Sequence, residues 1–161
     1  MGVLDRFRLD GRTALITGGS KGLGRAMAQA LAEAGADLIL VGREAEALAD
    51  AKTHLAALGR RIEVIAGDVG TPEGAAAACD DVLKLGRTID VLINNVGGRR
   101  VDIPTEDMPL AEWQKYFDLN LTSALVCCQK IGKGMVERQR GSIVNITSVA
   151  GPFISIKGIR G

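Results

Sequence analysis

The sequence has few aromatic residues, almost no net charge and no long apolar run. Only 3% of its 161 residues are aromatic, so we expect an aliphatic core in a single domain spanning residues 1–161. The formal net charge is +1, which argues against nucleic acid or an anionic membrane as a partner. No apolar stretch reaches the roughly 18–20 residues of a membrane-spanning helix, and residues 1–10 do not resemble a secretory signal. These absences predict a cytoplasmic protein.

The three cysteines and the single histidine do not suggest a metal site or a nucleophile. Cys127 and Cys128 are adjacent in a helical pattern, so their side chains diverge, and Cys79 has no partner at metal-ligand spacing. His54 lies in an alanine-rich amphipathic segment, far along the chain from any matching acid. We therefore expect reduced thiols that mostly fill the core, and a solvated histidine on a helix.

Short apolar segments alternate with longer amphipathic segments along the chain. The short segments predict strands at residues 13–17, 37–41, 62–66, 89–94 and 142–147. Helical spacing of apolar residues predicts helices at residues 23–34, 44–58, 71–85 and 110–138, the last with a kink expected near Gly132 and Gly134. Strands that are apolar throughout and joined by helices indicate a parallel sheet covered on both faces. The predicted fold class is doubly wound α/β.

A glycine-rich turn lies between the first predicted strand and the first predicted helix. It runs from Thr17 to Gly24 and contains, in order, Gly18, Gly19, Ser20, Lys21, Gly22 and Leu23. Bare backbone at this place can approach a pyrophosphate at the N-terminus of the helix. Glycines also make ordinary turns, but this cluster has the strand-turn-helix context that a dinucleotide site needs. The turn therefore predicts a dinucleotide-binding sheet of the Rossmann type.

The end of the second strand indicates which dinucleotide to expect. An acid there would bind the ribose 2′-OH, whereas a basic residue accommodates a 2′-phosphate. The strand is followed by Gly42 and Arg43, and Lys21 adds a second positive charge, so NADP is favoured over NAD. Two alternatives stay open: both cations are solvated, or Glu44 reaches the ribose. We expect Glu44 to lie in the first turn of the next helix instead, where the helix dipole favours an acid.

Three further motifs follow strand ends or lie in the long helix. The segment 94–97 reads Asn-Asn-Val-Gly after the fourth strand, Asn120 lies in the long helix, and residues 146–148 read Ile-Thr-Ser after the fifth strand. Together with the glycine turn, they make residues 8–161 resemble the short-chain dehydrogenase/reductases. That family usually has Asn-Asn-Ala-Gly at the fourth strand, so Val96 adds two methyl groups at a tight place.

The resemblance implies a role for each matching residue. Residues 18–23 would wrap the pyrophosphate and Arg43 would face the 2′-phosphate. The adenine would contact Asp68 and Val69, and the central part of the cofactor would be lined by Asn95, Val96 and Gly97. Structural alternatives stay open for Asp68, as a turn residue at a strand end, and for Asn94 and Asn95, as side chains that satisfy loop backbone groups. For Asn94 we hold the structural interpretation.

The resemblance also implies a catalytic apparatus, of which the sequence carries a part. Ser148 would hydrogen-bond the reacting carbonyl or hydroxyl, and Asn120 would hold a water in a proton relay. The family's acid/base is the tyrosine of a Tyr-x-x-x-Lys motif about a dozen residues after the serine. The single tyrosine, Tyr116, precedes Asn120, and Lys157 has no tyrosine four residues before it. We interpret the sequence as truncated before that motif, with the C-terminal strands missing.

Two classes of function follow from these observations. The first is an NADP-dependent oxidoreductase that interconverts a secondary alcohol and a carbonyl of a small-molecule substrate such as a sugar, polyol or sugar acid. The full-length enzyme would be a homo-oligomer, a tetramer or a dimer. The alternative is a noncatalytic nucleotide-binding or interaction module. A methyltransferase is disfavoured by the segment 94–97, by the Ser148 motif and by Arg43. Arg99 and Arg100 could face an anionic substrate, although paired loop arginines are more often solvated.

Overall fold

The computed structural model describes residues 2–98 and 103–148, so Arg99 and Arg100 lie outside the described part. The described strands are β1 (Thr13–Thr17), β2 (Asp37–Gly42), β3 (Ile62–Ala66), β4 (Val91–Asn94) and β5 (Ser142–Asn145). The described α-helices are α1 (Gly22–Glu33), α2 (Ala45–Ala56), α3 (Pro72–Lys84), α4 (Leu110–Phe117) and α5 (Ser123–Glu137). Short 3-10 segments lie at Val3–Phe7 and Thr105–Asp107. Within these residues, no helix is both long and apolar enough to cross a membrane.

The strands form one parallel sheet in the order β3-β2-β1-β4-β5. Successive side chains of a strand point to opposite faces, and both faces of this sheet are apolar. Leu15 of β1 packs in one core cluster with α3 and α5, whereas its neighbours Ala14 and Ile16 pack in a second cluster with α1 and α2. All three side chains are at most 1% exposed. This arrangement confirms the predicted doubly wound α/β fold.

The long helical segment is interrupted at a different place from the one predicted. A π-helical turn at Asp118–Thr122 separates α4 from α5, and α5 continues through Gly132 and Gly134. The helix is therefore not broken near those glycines, and the predicted kink there stays a prediction. At the π turn the Ser123 hydroxyl donates to the Asp118 carbonyl over 2.5 Å, a side-chain bond that competes with the regular helical ladder.

The packing of α5 on β5 does not require a glycine at position 132. A Cβ atom built on Gly132 would lie 3.4 Å from Cδ1 of Ile143, which is ordinary van der Waals contact. The helix can therefore accept an alanine at this position.

Charged residues connect the amino ends of the strands. Arg87 donates to the Asp37 carboxylate over 2.5 Å and to the Thr13 hydroxyl over 3.1 Å. Burial opposes ionisation of Asp37, but the bonds from Arg87 and from the Arg61 backbone N–H prevail, and the pKa of Asp37 lies below its ordinary value. Arg12 donates to Asp90 over 3.0 Å at the neighbouring strand. These bonds fix the end of the sheet opposite the candidate site.

Two cysteines lie in the core between α3 and α5. Cys79 of α3 and Cys127 of α5 are buried in the same cluster, while Cys128 is half-buried and contacts Asn94 of β4. The Cys79 contact and burial raise the pKa of Cys127, so this thiol stays protonated. His54 is exposed on α2. No cluster of His, Cys, Asp and Glu among the described residues is suited to hold a metal ion.

Candidate functional site

A cleft of about 390 Å³ opens at the carboxyl ends of the strands. Strand order reverses between β1 and β4, and open α/β sheets bind ligands at such a switch point. The cleft is lined by residues that follow β1, β2, β3 and β4 and by one residue of the π turn. They are Gly18, Ser20, Lys21, Gly42, Arg43, Glu44, Gly67, Asp68, Val69, Asn95, Val96, Gly97, Gly98 and Leu119.

The glycine turn follows β1, and at Gly18 its backbone faces the loop after β4 without an intervening side chain. Gly18 has φ +67°, a conformation that favours glycine, and its N–H donates to the Val41 carbonyl over 2.7 Å. A Cβ atom on Gly18 would lie 3.0 Å from Nδ2 of Asn95 and 3.1 Å from Cγ2 of Val96. Side-chain bulk at Gly18 would therefore push against the wall of the cleft.

Gly24 allows α1 to begin directly beside this turn. A Cβ atom on Gly24 would lie 2.1 Å from the Gly18 carbonyl oxygen and 2.7 Å from Nδ2 of Asn95. Gly19 meets a similar restriction, because its Cβ would lie 2.8 Å from Cδ2 of Leu40 in β2. The two glycines thus permit close packing of the turn on α1 and on the sheet.

Thr17 and Asn95 fasten the glycine turn to the β4 loop. Thr17 is 3% exposed, and its Oγ1 accepts from the backbone N–H of Asn95 over 3.0 Å and of Val96 over 3.3 Å. The side-chain amide of Asn95 donates back to the carbonyls of Thr17 and Gly18 over 3.1 and 3.4 Å. Val96 packs against the core cluster of α3 and α5, so its additional methyl groups are accommodated.

Three charged residues lie at one end of the cleft. Lys21 is the N-cap of α1 and Glu44 the N-cap of α2, and their side chains pair with Nζ and Oε2 2.5 Å apart. The hydrogen bond and charge of Lys21, followed by the charge of Arg43, lower the pKa of Glu44. Arg43 is exposed and makes no hydrogen bond or ion pair within the described part of the chain. Because α2 begins at Ala45, Glu44 lies one residue before the first helical turn, in which it was predicted, and faces Lys21 from there.

The loop after β3 supplies the opposite side of the cleft. The Asp68 carboxylate accepts from the backbone N–H of Gly70 over 2.9 Å, as an acid does in a local turn. Val69 is 3% exposed and belongs to the core cluster of α3 and α5. The turn role of Asp68 is therefore present in the structure, and its adenine contact stays a prediction.

Asn120 connects the π turn with the end of the β4 loop. Its Oδ1 accepts from the N–H of Gly98 over 2.8 Å, and its Nδ2 donates to the carbonyls of Gly98 over 3.1 Å and Tyr116 over 2.9 Å. A Cβ atom on Gly97 would lie 3.0 Å from the same Oδ1. The structure thus gives Asn120 a positioning role toward the cleft wall, while its role in a proton relay stays a prediction.

Ser148 is exposed and lies three residues beyond β5, at the same carboxyl edge of the sheet. Its contact with a substrate stays a prediction.

Asn94, the last residue of β4, is 5% exposed. Its side-chain amide donates to Asn145 over 2.9 Å and to the sulfur of Cys128 over 3.3 Å. These bonds hold β4 against β5 and α5, in agreement with the structural interpretation of Asn94.

Most residues predicted to bind the cofactor thus meet in the cleft. The remainder form the turn and the start of α1: Thr17, Gly19, Gly22, Leu23 and Gly24. Sequence reasoning missed several lining residues. Gly42 and Gly67 carried a usable signal, since they lie where β2 and β3 end. Leu119 and Gly98 carried none, because the π turn and the Asn120 bonds bring them there.

Comparisons with known proteins agree with this geometry. The family model for short chain dehydrogenases matches residues 12–159. The galactitol 2-dehydrogenase of Rhizobium johnstonii is 36% identical over 151 residues, which cover 94% of this chain and 58% of that relative. The D-threitol dehydrogenase of Mycolicibacterium smegmatis is 36% identical over 144 residues, covering 89% of this chain and 55% of that relative. The chain thus spans a little over half the length of these curated relatives.

A solved structure has the same fold and further sequence similarity. It is the L-sorbose reductase of Gluconobacter frateurii in complex with NADPH and L-sorbose, 32% identical, with a TM-score of 0.82. The match covers 89% of this chain and 55% of that one. The matched family model, these relatives and the shared sheet all point to one assignment: the chain belongs to the short-chain dehydrogenase/reductase family.

Proposed function

We propose that this chain forms the cofactor-binding part of an NADP-dependent oxidoreductase that transfers hydride between nicotinamide and a secondary alcohol or carbonyl. The observation that carries the proposal is the pair of cations at the cleft. Lys21 and Arg43 flank the end of β2, where a 2′-phosphate would lie in a dinucleotide site of this kind. The L-sorbose reductase that shares the fold was solved with NADPH, which supports the choice.

The residues present fit a dinucleotide. At Gly18 the space beside the backbone is too narrow for a Cβ atom. The helix α1 begins at the cleft, and the side chain of its N-cap residue, Lys21, makes no hydrogen bond to the first backbone N–H groups. Unpaired backbone N–H groups and the helix dipole favour a phosphate at such a helix start. The turn would thus hold the pyrophosphate, and the loops after β3 and β4 would hold the adenine and the central part of the cofactor.

The chain's own residues would then prepare the site for the reaction. When bound, NADP(H) supplies or accepts the hydride. Asn120 keeps the β4 loop in place through both polar groups of Gly98, so that the wall beside the cofactor is preformed. Ser148, at the carboxyl edge, would donate a hydrogen bond to the reacting oxygen of the substrate.

We further propose a polyol, sugar or sugar acid as the substrate. The galactitol and D-threitol dehydrogenases and the L-sorbose reductase bear names that specify polyols or a ketose. The test is NADP-dependent oxidation of a panel of polyols and reduction of the matching ketoses by the whole protein. Turnover with any of them supports the proposal, whereas tight NADP binding without turnover across the panel would favour a noncatalytic nucleotide-binding module.

The cofactor part of the proposal is tested by substituting Arg43. Arg43→Ala should weaken NADP binding by about ten-fold, the effect of losing one charged contact of roughly 1.4 kcal/mol, and leave NAD binding almost unchanged. Arg25→Gln is the matched control, because Arg25 pairs with Asp50 and does not line the cleft. Equal losses for NADP and NAD in Arg43→Ala would contradict a 2′-phosphate site.

The proposal includes a homo-oligomer, a dimer or tetramer, located in the cytoplasm. Large apolar side chains along α4, the π turn and α5 support self-association: Trp113, Phe117, Leu121 and Leu125 are each at least 41% exposed. Several large apolar side chains exposed in one segment are typical of an interaction face. Light scattering of the whole protein measures its mass in solution, and a monomer at micromolar concentration would contradict self-association. Fractionation of cells tests the location.

A further inference from the structure

Glu44 lies at the same end of the cleft as the two cations that we assign to NADP. Its carboxylate pairs with Lys21, at 2.5 Å between Oε2 and Nζ, and Arg43 precedes it in the chain. The pKa of Glu44 is lowered by Lys21 and by Arg43, so the group is anionic at neutral pH. All three residues line the cleft. The end of the cleft that would receive a 2′-phosphate therefore contains a negative charge of its own.

The pair of Lys21 and Glu44 has little value for stability. The two side chains are 62% and 63% exposed, and exposed ion pairs contribute little to the free energy of unfolding. The Glu44 side chain makes no capping hydrogen bond to α2, although the residue is the N-cap of that helix. Its one described polar contact is the ammonium group of Lys21. Its effect is therefore to be looked for in ligand binding.

We propose that Glu44 is an internal counter-ion that holds Lys21 in the cofactor-free protein and competes with the 2′-phosphate of NADP for it. Glu44 thereby sets how strongly the site prefers NADP over NAD. The inference rests on the proposed function, because it takes Lys21 as a ligand of the 2′-phosphate. NAD, which has a 2′-hydroxyl group instead, leaves the pair intact, so Glu44 acts against NADP alone.

The size of the effect follows from the charges involved. To bind the phosphate, Lys21 must leave Glu44, and an exposed ion pair is worth up to about 1 kcal/mol, which is roughly five-fold in a binding constant. Direct repulsion between Glu44 and the phosphate adds a smaller factor, because salt screens it. Removing the Glu44 charge should therefore strengthen binding of a 2′-phosphorylated nucleotide by about three- to ten-fold, and change binding of the nucleotide without that phosphate by less than two-fold.

The experiment measures binding calorimetrically with two probes that differ only in the 2′-phosphate: adenosine 2′,5′-bisphosphate and adenosine 5′-phosphate. The whole protein is compared with Glu44→Gln and with the matched control Glu46→Gln. Glu46 is an exposed acid in the first turn of the same helix and does not line the cleft. The expected result is a three- to ten-fold rise in the affinity ratio of the two probes for Glu44→Gln, and a rise below two-fold for Glu46→Gln.

A double-mutant cycle separates competition for Lys21 from general repulsion. In a Lys21→Gln background there is no ammonium group to hold, so Glu44→Gln should raise the affinity ratio by less than half as much as in the wild-type background. An equal rise in both backgrounds would overturn the inference, because Glu44 would then act through its charge alone. So would an unchanged or lower ratio in Glu44→Gln itself.

The same measurements distinguish this inference from the proposed NADP specificity. If the wild-type protein binds both probes equally, the NADP proposal is wrong, and the inference about Glu44, which depends on it, is wrong as well. If the wild-type protein prefers the bisphosphate and Arg43→Ala removes that preference while Glu44→Gln leaves it unchanged, NADP specificity stands and the inference about Glu44 alone is overturned.

Discussion

Gly24→Ala tests how closely the phosphate turn is packed on α1. The added Cβ would lie 2.1 Å from the Gly18 carbonyl oxygen, whereas real Cβ contacts are essentially never below 3.0 Å. The turn and the helix must therefore move apart by about 1 Å, and the atom in the way is backbone, which no side-chain rotation can clear. We expect a less stable protein that also binds nucleotide less tightly.

The magnitude is the difference of two opposing effects. Overpacking of this kind destabilises by about 1–3 kcal/mol or somewhat more, while replacing a helical glycine by alanine stabilises by at most about 1 kcal/mol. Because the clash is with a backbone atom, the cost lies at the upper end of that range, and the expected net loss is about 2–3 kcal/mol, which lowers the Tm of a chain of this size by about 6–9 °C. Gly132→Ala is the matched control, because its Cβ would make ordinary contact with Ile143. Its Tm should rise by about 2–4 °C.

The assay is thermal unfolding followed by circular dichroism, combined with calorimetric titration of NADP. Gly24→Ala should lower both the Tm and the NADP affinity, whereas Gly132→Ala should leave the affinity unchanged. A Gly24→Ala protein with an unchanged or higher Tm would refute the packing argument. A lower Tm with unchanged NADP affinity would show instead that the position of the turn does not matter for the cofactor.

Three further substitutions test individual contacts. Thr17→Val, which leaves two backbone N–H groups without their acceptor, should lower the free energy of unfolding in urea by about 2–3 kcal/mol, and Thr17→Ser by less than half of that. Arg87→Met should destabilise by about 1–2 kcal/mol at pH 7. Because Arg87 lowers the pKa of Asp37, this difference should shrink as pH falls below the ordinary value of 3.8, and a constant difference would contradict the assignment. Asn120→Ala should speed amide hydrogen exchange at Gly98, and unchanged exchange would contradict the Asn120 contact.

The order of the elements could be predicted from hydrophobic pattern and turn residues. The predicted boundaries of β1 and β3 agree with the structure, and those of the other strands and of α1, α2 and α3 agree within a few residues. These elements are bounded by local signals such as Thr71, whose side chain caps α3, and Pro72 at its first turn. The short 3-10 segment Val3–Phe7 was missed, because it buries none of its residues and so leaves no periodic pattern.

The position of the π turn could not be predicted from the hydrophobic pattern. Glycine is the residue whose sequence signal suggests a break in a helix, and on that basis the kink was expected near Gly132. The structure places the irregularity where Asn120 bonds Gly98 of another loop, a contact between residues 22 apart in the chain. Sequence periodicity contains no information on such a partner. The same reason explains why Leu119 was not recognised as part of the cleft.

The charged end of the cleft shows a second limit of sequence reasoning. Lys21 and Glu44 are 23 residues apart in the chain, and their sequence contexts indicate separate roles: a phosphate ligand for Lys21 and an acid at a helix start for Glu44. Only the parallel pairing of β1 and β2 brings the two helix starts side by side.

Polar side chains at the cleft act mainly on backbone groups of other segments. Asn is a poor helix former and Thr17 is a buried hydroxyl at the end of a strand, so neither residue is favourable for its own element alone. Each is stabilised by bonds to a different segment: Thr17 to the loop after β4, and Asn120 to Gly98 at the end of that loop. The loop is therefore held at both ends before any ligand binds. Departures from local preference thus coincide with the places where the cleft is preorganised, which is the relation expected at a functional site.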